Sequence, residues 1–504
     1  APPRRGGRRS AARPHPAVGV RLTHLAAAVE GVRARLAGGG GDPDVRAVEH
    51  DTRRVGAGAL FCCVPGARVD GHDLASAAVS AGAVALLVDH ELAVDVPQVV
   101  VEDVRAAMGP VAAAFWDHPS RHLSVVGVTG TSGKTTTTHL LAAVLTASRR
   151  PCGVVGTLSG ARTTPEAPEL QASLADHRRQ GDVAVALEVS SHGLDQGRVA
   201  GTRFAVAVFT NLSQDHLDYH GTMAEYFAAK ARLFTPAFTS HAVVCVDDDW
   251  GVQLAERVAA TAGVALHPFS SSDAEGLRLT PAGATFAWRG HRVDLRLAGR
   301  FNVRNALGAA TAAAVLGVDG ADVARGLGAA PAVPGRFEAV DAGQPFTVLV
   351  DYAHKPGALD KALRAARELV GEGGRLVVAF GAGGDRDAAK RPVMGEVAAR
   401  LADRAIVTSD NPRSERPAAI IGDILAGVPA GAPVTVEPDR RAAIGLAIQE
   451  ARPGDVVLVA GKGHETTQAV GDLTVAFDDR VVARQALAAT LAAAPGPARR
   501  PEGA

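Results

Sequence analysis

At 504 residues the chain is long enough for about three ordinary domains, and 47% hydrophobic residues give each of them a core to bury. Its 53 basic and 53 acidic side chains cancel, which leaves no electrostatic footprint for nucleic acid and no pull toward an anionic membrane. The four cysteines (Cys62, Cys63, Cys152, Cys245) fit neither a disulfide framework nor paired zinc spacing and point to a reducing cytoplasm, and no apolar run reaches the roughly 18 to 20 residues of a membrane span.

Residues 1–16, rich in Arg, Pro and Gly and free of acids, read as a disordered tail, as do residues 494–504. Between them a short Val/Ile/Leu run, a polar Gly-containing turn and an Ala-rich helical stretch recur, the βαβ signature of parallel sheets buried on both faces. The runs are Leu123 to Val128, Val183 to Val189, Phe204 to Phe209, Ala242 to Val246, Thr347 to Val350, Arg375 to Phe380, Arg404 to Val407 and Asp455 to Val459. They are followed in turn by GTSGKT, SSHGLDQGR, TNLSQDHLDYH, DDDWG, DYAHKP, GAGGDRD, TSDNPR and AGKGHE. Ligands of open parallel sheets bind at the carboxyl ends of strands, so this placement favours function over simple turn chemistry. Breaks near Asp117 to Ser120 and Pro331 to Gly335 divide the chain into domains 17–118, 119–332 and 333–493.

The segment from Gly127 to Thr137 reads as a phosphate-binding loop. Its glycines let backbone amides face an anion, Lys134 can reach the β- and γ-phosphates, and Thr135 can offer a hydroxyl to Mg²⁺, so a nucleoside triphosphate is expected on Gly130, Thr131, Ser132, Gly133, Lys134, Thr135 and Thr136. Val128 stands where the general pattern has a glycine. Glu188 ends a run that should lie beside the loop's strand, within reach of the same metal. His216 is a weaker candidate by itself, and Lys230 by residue type reads as an exposed helix lysine. Two patterns fail: Gly381-Ala-Gly383-Gly384-Asp-Arg386 lacks the last glycine of a dinucleotide fingerprint, and His464-Glu465 lacks the second histidine of a zinc-protease motif.

The ordered segments GTSGKTT, EVSSHGL, TNLSQDHLDYH, AAKARLF, GRFNVRNALGAA, PGRFE, DYAHKP, GAGGDRD, DNPR and AGKGHE resemble the Mur ligases over about residues 20 to 490, and among them the members that add meso-2,6-diaminopimelate. The resemblance implies an α/β protein of three domains: a smaller α/β N-terminal domain for UDP, a central P-loop ATPase-like parallel sheet, and a Rossmann-like α/β C-terminal domain for the amino acid. Thr52, Ala67, Arg68 and Val69 would touch the UDP moiety. Thr163, Thr164, Ser190, Gln196 and Arg198 would hold the muramoyl-dipeptide, with Arg162 where relatives often have Asn. Lys230 matches a lysine that CO₂ converts to a carbamate, an anionic ligand for a second Mg²⁺ beside Thr135, Glu188 and His216. Asn302, Asn305, Arg336 and Asp351 would contact the nucleotide, Arg336 at the γ-phosphate and Asp351 at the ribose. Arg386, Asp410, Asn411, Pro412, Arg413, Gly461 and Glu465 would bind diaminopimelate. The physics agrees, because the extra carboxylate of diaminopimelate suits the planar forks of Arg386 and Arg413.

The implied reaction uses ATP and Mg²⁺ to couple UDP-MurNAc-L-Ala-D-Glu to meso-diaminopimelate. The D-glutamate side-chain carboxylate attacks the γ-phosphate, with Lys134, Lys230, His216 and Arg336 as the catalytic set, and the incoming amine displaces phosphate from the acyl phosphate. A cytoplasmic monomer without nucleic-acid or membrane partners is expected. The alternatives are a folylpolyglutamate synthase-like ligase and a nucleotide-binding scaffold with an inactive site.

Overall fold

The structure, a computed structural model, describes residues 19–29, 35–37, 41–66 and 69–493, so both expected tails lie outside the described residues. The chain forms two compact units: one holds the described residues up to Thr138 with Arg149–Pro268, the other His139–Ser148 and the described residues from Phe269 on. The division falls inside the helix Lys134–Ala147. No helix among the described residues is long and apolar enough to cross a membrane.

In the first unit, strands β1 (Arg35–Ala37), β2 (Ala47–Glu49), β3 (Ala59–Cys62), β4 (Ala83–Val88) and β5 (Gln98–Val100) form a sheet in the order β1-β5-β4-β3-β2. It is parallel except at β1, which runs against β5. Asp103 caps the helix Val104–Phe115 by accepting from Ala106 N at 3.1 Å, and that helix sets Val104, Met108 and Val111 against Leu60, Leu87 and Val99.

A second sheet in this unit holds β6 (Ser124–Thr129), β7 (Cys152–Val155), β8 (Ala184–Glu188), β9 (Val206–Phe209), β10 (His241–Cys245) and β11 (Ala265–Phe269), ordered β11-β10-β9-β6-β8-β7. Every residue of β8 and β9 is buried, which is why these strands are continuous apolar runs and do not alternate. β6 lies between them, parallel to both, and Val128 is registered with Glu188. The neighbouring strand ends therefore project the phosphate loop and the Glu188 carboxylate from one edge.

The second unit contains an antiparallel sheet of β12 (Glu275–Thr280), β13 (Gly283–Trp288) and β14 (His291–Leu295). Its larger sheet holds β15 (Glu338–Ala339), β16 (Thr347–Asp351), β17 (Leu376–Phe380), β18 (Arg404–Val407), β19 (Val434–Val436) and β20 (Val456–Ala460), ordered β15-β16-β20-β17-β18-β19 and parallel save at β15. Alternate residues serve its two faces: Val378 and Leu458 pack with Leu363 and Met394, while Val377 and Val459 pack with Ile444 and Ile448. A hairpin of β21 (Thr467–Val470) and β22 (Leu473–Ala476) follows. All eight apolar runs contain strands, with ends displaced by a residue or two.

Candidate active site

The phosphate loop is built by sterics that admit only glycine at its turns. Gly130 and Gly133 have φ of 146° and 88°, and a Cβ on Gly130 would stand 2.0 Å from Thr210 Oγ1. Val128 is a buried strand residue, so the turn begins only at Gly130 and position 128 needs no glycine, whereas a Cβ on Gly127 would stand 2.7 Å from the buried Phe204 ring. Thr210 and Asn211, at the end of β9, lock the loop. Asn211 O accepts from Thr131 N at 2.9 Å, its side chain exchanges bonds of 3.0 and 3.2 Å with Ser132, and Thr210 Oγ1 donates to Ser132 O at 2.6 Å. Sequence reading passed over both residues, although their place directly after a buried strand, inside TNLSQDHLDYH, was a signal for them.

Lys134 Nζ donates to Gly130 O at 2.8 Å and Thr131 O at 2.9 Å, which holds its ammonium over the loop. Thr135 and Thr136 are buried at the start of the following helix. Thr135 Oγ1 donates to Glu188 Oε2 at 3.0 Å. Glu188 is 1% exposed and also accepts from Thr157 N at 2.8 Å and Thr157 Oγ1 at 3.1 Å. These donors are neutral, so a buried carboxylate and a hydroxyl stand together beside the loop, an oxygen set that suits a hard divalent cation.

Lys230 lies on the helix Met223–Ala231, which Thr222 and Glu225 open with a reciprocal capping box. The structure corrects the reading by residue type: this lysine is 1% exposed. Its Nζ donates to Gly130 O at 2.9 Å and stands 4.7 Å from the centre of the Tyr226 ring. Burial, and then the Lys134 charge, hold its pKa well below the usual lysine range, toward the neutral amine that can react with CO₂. Tyr226 joins this helix to the loop through a 3.2 Å bond between its hydroxyl and Thr131 Oγ1. His216, left-handed at φ 54°, places its ring 6.2 Å from the Tyr226 ring and its Nε2 3.5 Å from Asp215 Oδ2.

Thr163, Thr164, Ser190, Gln196 and Arg198 form one connected group beside Glu188. Thr164 is fully buried and its Oγ1 donates to Glu188 O at 2.9 Å, Thr163 Oγ1 meets Thr157 Oγ1 at 3.1 Å, and Ser190 Oγ caps the next short helix by accepting from Gly193 N. Arg198 reaches Thr164 O at 3.0 Å, Gln196 Oε1 at 2.6 Å and the Glu166 carboxylate at 3.0 Å. Thr52 begins a short turn capped by Asp51, and Val69 is exposed. Among the described residues no hydrogen bond ties either to this group, while Ala67 and Arg68 lie outside the described residues.

The remaining expected residues lie in the second unit. Asn302 and Asn305 are buried on the helix Arg300–Val315, where Asn302 Nδ2 donates to Ala298 O and Asn305 Nδ2 to Asn302 Oδ1. Arg336 lies 4.8 Å over the Tyr352 ring. Asp351 Oδ2 accepts from Phe337 N at 2.7 Å; burial pushes its pKa up to about 6, against the opposing pull of Arg336 and nearby backbone amides. Gly335 passes so close to Gly463 that a Cβ there would sit 2.0 Å from its carbonyl carbon.

Asp410, Asn411 and Pro412 are buried, Arg413 is half-buried at φ 51° with Nη1 donating to Gly384 O, and Arg386 is exposed. Gly461 packs against Asp410, since a Cβ there would meet Asp410 Oδ2 at 2.5 Å. Glu465 Oε2 accepts from Asn411 Nδ2 at 2.7 Å. The structure thus brings Asp410, Asn411, Gly461 and Glu465 together at the strand ends of one sheet. Lys462 and Arg440, both fully buried here, were missed from the sequence, where neither stands out from its neighbours.

Three family models match the chain: "Mur ligase family, catalytic domain" at residues 44–116, "Mur ligase middle domain" at 128–313 and "Mur ligase, glutamate ligase domain" at 335–463. The UDP-N-acetylmuramoyl-L-alanyl-D-glutamate--2,6-diaminopimelate ligase of Geobacillus kaustophilus is 46% identical over 475 residues, covering 89% of this chain and 96% of the relative. The ligase of the same name from Streptomyces avermitilis is 45% identical over 480 residues, covering 89% and 94%. A solved structure of a protein so named is similar with a TM-score of 0.66 at 34% identity, covering 89% of this chain and 96% of that one.

Proposed function

The chain belongs to the Mur ligase family, and from that premise we propose that it joins meso-2,6-diaminopimelate to UDP-N-acetylmuramoyl-L-alanyl-D-glutamate with hydrolysis of ATP, in peptidoglycan precursor synthesis. The observation that carries the reading is the convergence of Lys134, Thr135, Glu188 and the buried Lys230 on one phosphate loop. A scaffold with a dead site would have no reason to keep a desolvated lysine beside a P-loop carbonyl. The division into domains 17–118, 119–332 and 333–493 belongs to the same reading, as does a monomeric cytoplasmic enzyme; its four free cysteines suit a reducing compartment.

Chemistry follows from the residues. The loop amides from Gly130 to Thr136 cradle the triphosphate, and Lys134 exchanges its loop carbonyls for phosphate oxygens. Thr135, Glu188, His216 and Lys230 as its carbamate would hold Mg²⁺, which supplies neutralisation of charge on the phosphoryl oxygens. Arg336 acts on the same charge, Asn302 and Asn305 shape the nucleotide site, and Asp351 holds the ribose. Thr163, Thr164, Ser190, Gln196 and Arg198 orient the muramoyl-dipeptide; the Thr164 hydroxyl already donates to Glu188 O, so this residue shapes the pocket wall. Thr52 and Val69, with Ala67 and Arg68, serve the UDP end. The D-glutamate side-chain carboxylate attacks the γ-phosphate and forms an acyl phosphate, and the diaminopimelate amine then displaces phosphate through a tetrahedral intermediate.

Arg413 and Arg386 receive the distal carboxylate of diaminopimelate, and Glu465 with the Gly461 carbonyl receives its ammonium. Arg413→Ala is expected to raise the KM for diaminopimelate by roughly a hundredfold, the scale of a lost charge-assisted bidentate contact, with little change in the KM for ATP. Steady-state phosphate release at varied concentrations of each substrate reads this. Equal effects on both would remove Arg413 from the role.

A further inference from the structure

The loop Asp410–Arg413 is not held by its own strand alone. Lys462 is fully buried, and its ammonium spends all three protons on the protein: on Asn411 Oδ1 at 3.1 Å, Glu465 Oε2 at 2.9 Å and Thr467 O at 2.6 Å. Asn411 is equally committed. Its Oδ1 accepts from Lys462 and from Ala469 N at 3.0 Å, and its Nδ2 donates to Asp410 Oδ1 at 3.1 Å and Glu465 Oε2 at 2.7 Å. An amide so occupied holds its neighbours in place.

The hairpin β21–β22 completes the grip. Gln468 Nε2 donates to Asp410 O at 2.7 Å. Arg413 N donates to Ala469 O at 3.0 Å, and Gly471 N to Arg413 O at 2.7 Å, so the left-handed backbone of Arg413 is fixed by the hairpin through both its N–H and its C=O. Asp410, Asn411 and Arg413 are thus each bonded to the hairpin, and Lys462 bonds its first residue. One oxygen of Glu465 is pinned by Lys462 and Asn411, while Oε1 makes no hydrogen bond within the described residues.

We propose that Lys462 is a positioning residue for amino-acid recognition, and that with the hairpin Thr467–Ala476 it fixes Glu465, which takes the ammonium, in register with Arg413, which takes the carboxylate. The proposal rests on the diaminopimelate reading of this site. Two recognising charges that must match an ammonium and a carboxylate borne on one carbon tolerate little slack, since misplacement on the ångström scale is costly. Lys462 also offsets some of the Glu465 charge, so its loss would strengthen the pull on an ammonium, and a raised KM would report lost geometry.

The test measures KM for each substrate with the full chain, ATP, UDP-MurNAc-L-Ala-D-Glu and meso-diaminopimelate. Lys462→Met is expected to raise the KM for diaminopimelate by roughly tenfold, and Gln468→Ala by about threefold, with the KM for ATP changed by less than about twofold in both. Gln468 is only partly buried, so its variant carries the test if Lys462→Met does not fold. A merely structural role would lower the unfolding temperature and leave the KM ratio alone. Unchanged KM for diaminopimelate in the folded variants, or an equal rise for ATP, overturns the proposal. Should the wild type turn over with a different amino acid, the site reading fails, and the same KM ratio measured with that amino acid still decides the role of Lys462.

Discussion

Lys230→Ala is expected to lower kcat by about three orders of magnitude, the scale of a lost preorganised charge at a phosphoryl-transfer site, without unfolding the chain. Three observations set this expectation. The side chain is buried, its Nζ touches the carbonyl of Gly130 in the phosphate loop, and its pKa is pushed far down by burial and by Lys134. A permanently charged lysine in that position would repel the metal proposed for Glu188 and Thr135, whereas the neutral amine can gain CO₂ and become an anion. Added acetate or formate should restore some of the turnover of the alanine variant, because a small carboxylate fits the space left by the chain and replaces the missing charge. Normal turnover without such an additive would remove Lys230 from the site.

The second large effect is structural. Asp479→Ala is expected to cost about 3 to 5 kcal/mol, because it strands a guanidinium in the interior. Arg440 and Asp479 are both fully buried and share bonds of 2.8 and 2.6 Å. Burial alone would depress the Arg440 pKa, yet the Asp479 carboxylate outweighs it and raises it. The same guanidinium donates to Ser409 O at 3.3 Å and Ala460 O at 3.0 Å, the carbonyls just before Asp410 and Gly461, so the pair also ties together two loops of the proposed amino-acid site. Thermal unfolding should show a drop on the order of 10 °C for Asp479→Ala. The double variant Arg440→Met with Asp479→Leu, which removes both charges, should lose much less. A single variant as stable as the wild type would contradict this account of the pair.

What the sequence made legible depended on how local the cause was. Strands of the two large parallel sheets were readable because burial on both faces makes them unbroken apolar runs, and the phosphate loop because Gly130 and Gly133 adopt positive φ, a local demand that glycine answers. The β12–β14 sheet was passed over, although its alternating residues and the Gly-containing turns near Gly283 and Gly290 carried a hairpin signal. Lys230 was misread in residue terms because its burial is decided by the loop it packs under, 100 positions away. The Arg440–Asp479 pair spans 39 positions and Lys462–Asn411 spans 51, so neither has a local pattern to betray it. Tertiary contact, and not spacing, makes these residues important.

The most direct test of the central claim is phosphate release by the purified chain with ATP, Mg²⁺ and UDP-MurNAc-L-Ala-D-Glu, comparing meso-diaminopimelate with L-lysine as the acceptor amine. Turnover that depends on meso-diaminopimelate, with lysine a poor substitute, is the predicted result. Turnover with lysine and none with diaminopimelate would contradict it.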